Sequence, residues 1–292
     1  MADKKTAFIT GAAMGMGALK AKTLAERSWE VYAGVLKGAD TSELGDNPNI
    51  TIVEQDVTSD KSVADSAKKV KKALGERGLD LLINNAGIAN KGIGVIEGAD
   101  IEQARIAFEV NTFGTWRVCQ AFLPMIRQNA PDSKIINFAS GAVKANPACS
   151  GAYNMSKHAV VGLTRTLRHE LAPFGIQVTA VEPGAVKTHM TADPYETTQN
   201  IWKEVSQEMN DVYGPYLKEG TTEVMPEMLE NSANPPEVVV NQVLGLLEKK
   251  NWKPYYLVGK DVKLLGPMFK VLPERTFEKV LQGAAKIPRY KG

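Results

Sequence analysis

Short apolar runs alternate with longer amphipathic stretches along this chain. Residues 6–10, 31–35, 50–55, 79–83, 134–138, 177–182 and 255–258 are dense in Val, Ile, Leu, Phe and Ala, and each predicts a strand. Between them, helical periodicity covers 18–28, a stretch capped by Ser59 or Asp60 and stopped by Gly75 and Gly78, then 151–172 and 237–249. A long helix is predicted over 101–128, in two pieces with a break near Pro124. Continuous apolar strands separated by helices predict a parallel sheet covered on both faces. The expectation is therefore an α/β chain with a doubly wound sheet, three layers α/β/α, in one domain over 1–292. Residues 187–234 break the alternation, with Met190, Pro194, Tyr195, Trp202, Met209, Tyr213, Tyr216, Met225 and Met228 on an irregular insertion. A lid over a site is expected there, with a surface insertion or subunit contact as the alternative.

Composition narrows the partners. The chain has 292 residues, 35 Lys and Arg against 33 Asp and Glu, and a formal charge of +2. A near-neutral balance argues against nucleic acid. Lys68, Lys69, Lys71 and Lys72 share their segment with Asp60, Asp65 and Glu76, so they read as a solvated helix face. Cys119 and Cys149 are the only cysteines, too few for a disulfide framework or a zinc knuckle. Met1 leads through Asp3, Lys4 and Lys5 into the first strand without an apolar signal segment, and no apolar run is long enough to span a bilayer. The expectation is a soluble protein of the reducing cytoplasm.

The first strand runs into Thr10-Gly11-Ala12-Ala13-Met14-Gly15-Met16-Gly17. Gly11 permits a tight turn, Gly15 lets backbone approach a pyrophosphate, and Gly17 allows close helix–strand packing. Free N–H groups at the following helix start suit that anion. Asp56, past the third strand, is positioned for an adenine amino group or else is a simple turn residue before a helix.

Tyr153 and Lys157 lie four apart near a helix start, so they share one face. Ser140 ends the fifth strand, and the carboxyl ends of strands border the ligand crevice of an open α/β sheet. Removing hydride from an alcohol requires its hydroxyl proton to leave as well. A free tyrosine with a pKa of about 10 is a poor base at neutral pH. A nearby ammonium and a cationic nicotinamide would favour phenolate, and lowering the pKa by about 3 corresponds to ~4 kcal/mol. Ser140 would hold the substrate oxygen, although alone it reads as a serine bonding nearby backbone.

Together these segments resemble the short-chain dehydrogenase/reductase family over about residues 4–190. Thr10–Gly17 is similar to its glycine turn, and Asn84-Asn85-Ala86-Gly87 to its segment after the fourth strand. Asn111 falls at its helical asparagine, and Ser140, Tyr153 and Lys157 complete a tetrad. Pro183-Gly184-Ala185-Val186-Lys187-Thr188 resembles its nicotinamide segment. The resemblance implies a Rossmann fold and an NAD(P)-dependent alcohol dehydrogenase or ketone reductase with Tyr153 as general acid/base. It implies that Asn111 kinks its helix and holds a water linking Lys157 to solvent. It further implies that Lys157 bonds the nicotinamide ribose and Thr188 the carboxamide. Dinucleotide contacts are expected from Gly11, Met14, Gly15, Met16 and Gly17, then from Lys37, Asp56 and Val57. Asn85, Ala86 and Gly87, with Tyr153, Lys157, Pro183, Gly184, Val186 and Thr188, complete that expected set.

The second strand ends at Val35-Leu36-Lys37, where neither the acidic residue typical of NAD nor the arginine typical of NADP stands. Lys37 could reach a 2′-phosphate or simply be an exposed loop residue. The stretch 31–36, Glu182-Pro183-Gly184 and Asp261-Val262-Lys263-Leu264-Leu265 look like the hydroxysteroid and retinol dehydrogenase branch. Several members of that branch use NAD without the acidic residue, so NAD(H) is the expectation and NADP(H) the alternative. Substrate contacts are expected from Ser140, Ala142, Val143, Asn146, Cys149, Tyr153, His189 and Met190. That mainly apolar set predicts a hydrophobic secondary alcohol or ketone. Lys144, the obvious cation for an acidic substrate, is expected to point outward. His158 and His169 lack metal-pair spacing, so no metal is expected. Family members usually assemble as homodimers or homotetramers, which is the expectation here. A non-catalytic NAD(P)-binding sensor is the alternative function.

Overall fold

The computed structural model describes residues 4–188 and 194–288. Seven parallel strands form one sheet: β1 (Thr6–Thr10), β2 (Glu30–Val35), β3 (Ile50–Glu54), β4 (Leu81–Asn84), β5 (Lys134–Phe138), β6 (Gln177–Pro183) and β7 (Tyr255–Val258). Their order is β3-β2-β1-β4-β5-β6-β7. Every residue of β1 and β4 is buried, as expected for strands covered on both faces. The chain winds outward from β1 to β3, then restarts at β4 on the other side of β1. The β1/β4 boundary is therefore the switch point, where an open α/β sheet has its crevice.

One face packs α1 (Gly15–Glu26) and α10 (Pro236–Leu247) over the sheet, burying Ala18, Ala21, Leu24, Val239, Val243 and Leu246. The opposite face carries α2 (Asp60–Leu74), α4 (Gly114–Gln128) and α6 (Gly151–Leu171), through Val63, Val70, Val118, Phe122, Ile126 and Leu167. These are the three expected layers. The Ser59 hydroxyl caps α2 by accepting from Ser62 N at 3.2 Å, and Gly75 ends it at φ 60°. Lys68 lies on the exposed side of α2, 3.8 Å from Asp65.

Two expectations change. The break in the long helix is not at Pro124, which sits inside a continuous α4. It is a π-helical turn, Glu109–Phe113, between α3 (Ile101–Phe108) and α4. Just past the turn, the Thr115 hydroxyl donates to the Asn111 carbonyl at 2.8 Å. The insertion is also not irregular. It forms α7 (Pro194–Glu204), α8 (Gln207–Glu219), a π-helical turn Gly220–Val224 and α9 (Met225–Ser232). Apolar residues at helical spacing put Ile201, Trp202 and Met209 into a small core with Val95 and Cys149. After β7, α11 (Lys260–Val271) and α12 (Glu274–Ala284) follow. A four-residue helix, α5 (Ala142–Ala145), precedes α6.

Candidate active site

The glycine turn and the β4 segment are stitched together at the switch point. The Thr10 hydroxyl accepts from the backbone N–H of Asn85 and of Ala86, both at 2.9 Å. Asn85 returns its amide to the carbonyls of Thr10 and Gly11, both at 3.0 Å. Gly11 and Gly15 adopt φ 60° and 56°, where L side chains are strained. A Cβ on Gly17 would stand 2.1 Å from the Gly11 carbonyl oxygen, so only glycine lets α1 approach this closely. Met14, extended, precedes α1 and is exposed, whereas Met16 packs on the core.

The other dinucleotide candidates surround this turn less tightly. Lys37 is exposed at the end of β2. Asp56 accepts from the Thr58 backbone N–H at 2.9 Å and its hydroxyl at 2.7 Å, so this carboxylate is at work in a local turn. Val57 is buried beneath Gly114 of α4. On the far side, Pro183 ends β6 and its carbonyl accepts from Gly141 N at 2.7 Å. Gly184 faces the Asp261 carboxylate so closely that a Cβ would lie 2.0 Å from Oδ2. Val186 is buried and Thr188 half-buried.

Two residues that sequence reasoning did not assign hold that segment. Asp261 accepts from Ala185 N at 2.7 Å. Asn234 donates to the Ala185 carbonyl at 3.0 Å and to Asp261 at 3.2 Å, while its own backbone brackets residues 185–187. The stretch containing Asp261 had stood out in the sequence, but its target some 76 positions away is visible only after folding. Lys20 was missed as well. It lies fully buried on α1, with Nζ 2.6 Å from Asn85 Oδ1 and 3.7 Å from the Phe138 ring centroid, and burial holds its pKa well below the ordinary lysine value.

The four tetrad positions converge. Asn111 is fully buried in the π-helical turn; its side chain accepts from Ile88 N at 2.8 Å and donates to Ile88 O and Ser156 Oγ. Gly87 lies between Asn111 and Lys157, since a Cβ there would be 3.1 Å from both Asn111 Oδ1 and Lys157 Nζ. Lys157 Nζ donates to the Phe138 carbonyl at 3.0 Å and is 5.8 Å from the Tyr153 ring centroid. The Ser140 hydroxyl lies near enough to the Tyr153 phenol to influence its proton affinity, and Ser140 Oγ accepts from Ala142 N at 3.1 Å.

The electrostatics differ from expectation. Burial pushes the Tyr153 phenol above its ordinary pKa, opposed by the Ser140 hydroxyl, rather than leaving it depressed. Burial also brings the Lys157 ammonium down to about 8. The site is thus suited to holding a protonated phenol next to a serine hydroxyl.

The loop before α6 carries most of the expected substrate wall. Asn146 and Cys149 adopt φ 45° and 60°, strained for residues with side chains. Asn146 Oδ1 lies 2.9 Å from His158 Nε2. Cys149, its thiol pushed up to about 11 by burial, packs on Val95 and α7–α8, while Val143 is buried and Ala142 half-buried. His189 and Met190 lie outside the described residues. Lys144 corrects its expectation. It points inward, 9% exposed, with Nζ 3.2 Å from Glu182 Oε2 and within 4.5 and 5.2 Å of the Tyr255 and Phe269 ring centroids. A fully buried carboxylate requires such a partner.

A doubly wound sheet, with a glycine turn at its switch point and a Ser–Tyr–Lys cluster at its carboxyl edge, defines a dinucleotide-dependent oxidoreductase class. The chain belongs to the short chain dehydrogenase family, whose model matches residues 5–199. It is 33% identical to "Uncharacterized oxidoreductase YusZ" of Bacillus subtilis (strain 168), covering 96% of this chain and 98% of that one. It is 30% identical to human "17-beta-hydroxysteroid dehydrogenase type 6" over 95% of this chain and 87% of the relative. A short-chain dehydrogenase from Burkholderia cenocepacia J2315, solved in complex with NADP, superposes with a TM-score of 0.70 at 27% identity. That match covers 98% of this chain and 99% of the other. Relatives named as oxidoreductases and dehydrogenases lend the binding-only alternative no support. Among the described residues, no helix is long and apolar enough to cross a membrane.

Proposed function

We propose that this chain interconverts apolar secondary alcohols and ketones using a nicotinamide dinucleotide, with Tyr153 moving the proton. The observation carrying this reading is the convergence of Ser140 and buried Lys157 on the Tyr153 phenol, with Lys157 Nζ 5.8 Å from the ring centroid. The glycine turn fits the dinucleotide: no Cβ can stand at Gly17, and the Gly15 N–H donates to an anionic group, the Glu43 carboxylate at 2.7 Å. When bound, the nicotinamide supplies or takes the hydride.

In reduction, Ser140 donates to the carbonyl oxygen and orients it, while Tyr153 Oη delivers its proton to the forming alkoxide. In oxidation the Tyr153 phenolate takes the alcohol's hydroxyl proton and becomes the neutral phenol. Lys157 stabilises the phenolate left behind and, with Thr188 from the β6 side, orients the nicotinamide ribose and carboxamide. Asn111 supports Lys157 through Gly87 and the π-helical turn, whose displaced backbone suits a water linking Lys157 to solvent. Gly11, Met14, Met16, Lys37, Asp56, Val57, Asn85, Ala86, Pro183, Gly184 and Val186 line the rest of the dinucleotide path, with NAD(H) as the preferred form.

Two features support an apolar substrate. Ala142, Val143, Cys149 and Asn146 stand on the loop and short helix before α6, and Cys149 packs into the apolar core under α7–α8. In addition, the Lys144 ammonium is held by Glu182 at 3.2 Å and is not turned toward a carboxylate substrate. We read 187–234 as the lid of a single Rossmann domain. We further assign a homodimer or homotetramer to the face where Phe113, Trp116 and Met155 are exposed. The reading is tested by following nicotinamide absorbance with apolar ketones, secondary alcohols and 2-hydroxy acids. Apolar ketones and alcohols should give kcat/KM at least about tenfold above any hydroxy acid, as expected for burying an unpaired carboxylate. Preferred turnover of a hydroxy acid would overturn the substrate assignment.

A further inference from the structure

The adenosine end of the dinucleotide path carries no acidic or arginine residue where β2 stops, only Val35, exposed Leu36 and Lys37. A different charge reaches the glycine turn beside it. Beyond β2 the chain makes a short 3-10 turn, Ser42–Leu44, started by Asp40 accepting from Ser42 N at 2.8 Å. Leu44 is 2% exposed and locked into the core beneath α1. That anchor fixes the neighbouring side chain: Glu43 Oε2 accepts from Gly15 N, in the glycine turn, at 2.7 Å.

We propose that Glu43 is the residue that selects NAD(H) over NADP(H). This rests on the dinucleotide reading of the site given above. A ribose with both hydroxyls free can donate to a carboxylate. A 2′-phosphate can only accept at neutral pH and brings close to two further negative charges against Glu43. Like charges at this range disfavour the phosphorylated ligand, while a neutral ribose loses nothing. Sequence inspection at the end of β2 misses this residue because it arrives from the next loop, 28 positions after the glycine it bonds.

Binding of NAD+ and NADP+ to the substrate-free protein, by calorimetry at low and moderate salt, tests the proposal in wild type, Glu43→Gln and Glu43→Lys. Wild type should bind NAD+ more tightly. Glu43→Gln should tighten NADP+ by about tenfold while leaving NAD+ within about threefold, and the gain should shrink as salt rises. Glu43→Lys should invert the preference, with circular dichroism and Tm checking that each variant is folded. A Glu43→Gln ratio equal to wild type, even with a lowered Tm, would reduce Glu43 to a helix cap and overturn the proposal. So would a wild-type preference for NADP+, with Lys37 the residue that attracts the phosphate. If the folded wild type binds neither nucleotide, the dinucleotide reading itself falls.

Discussion

Lys157 shows most directly what burial does to a single site residue. Its pKa falls from the ordinary 10.5 to about 8 because the ammonium is desolvated, with the Phe138 carbonyl as its hydrogen-bond partner. Below pH 8 the folded and unfolded chains both hold the proton, and the folded chain bears the full cost of a buried charge. Between pH 8 and 10.5 the unfolded chain binds more protons than the folded one, so stability contributed by this group rises with pH. The interval corresponds to about 3 kcal/mol. Denaturant titrations of wild type and Lys157→Met should therefore show wild type gaining roughly that much on the variant across the interval. A constant difference would mean that Lys157 titrates normally. At this scale, Tyr153, Lys157 and Ser140 were legible because spacing on a helix and a strand end is a local property. Lys144 was not. Nothing in its neighbours distinguishes it from a surface lysine, and its inward orientation depends on Glu182, Tyr255 and Phe269, all distant in sequence.

At the scale of elements, the glycine turn is where sequence and packing agree most closely. Gly17 is required by backbone on the other side of the turn: an added Cβ would meet the Gly11 oxygen at 2.1 Å and Ala12 Cα at 2.9 Å. Neither neighbour is a flexible side chain that can give way. Gly17→Ala should therefore cost about 2 kcal/mol or more, lowering Tm by ~5 °C, and weaken dinucleotide binding at least about tenfold. Unchanged melting and binding would show that α1 can back away from β1. The long helix illustrates the opposite case. Pro124 drew the expected break because proline removes a backbone donor, yet α4 passes through it. The real discontinuity, at 109–113, has no proline or glycine inside it and depends on Asn111 bonding Ile88 and Ser156. Helices in 194–232 are hard to recognise from sequence because two prolines, Pro215 and Pro226, interrupt the pattern. Their small core with Val95 and Cys149 supplies what local periodicity lacked.

For the whole molecule, alternating strands and helices were sufficient to predict the parallel sheet, its layers and the location of the crevice. Strand order places the glycine turn and the Asn85 segment side by side, and Thr10 bonds them. What the alternation could not convey is how the far end of the chain closes the site. Asp261, opening α11, and Asn234, after α9, hold the Pro183–Gly184 segment through bonds spanning up to 76 positions. Such partners leave no periodic trace because each is a single polar residue in a turn. The central claim is that the dinucleotide cradle and the proton-moving phenol are separable parts of one site. The direct measurement is single-turnover hydride transfer to an apolar ketone, together with dinucleotide Kd, in Tyr153→Phe. The account predicts dinucleotide binding within about threefold of wild type and transfer slowed by about a hundredfold or more. Transfer at the wild-type rate in a folded Tyr153→Phe protein would contradict it.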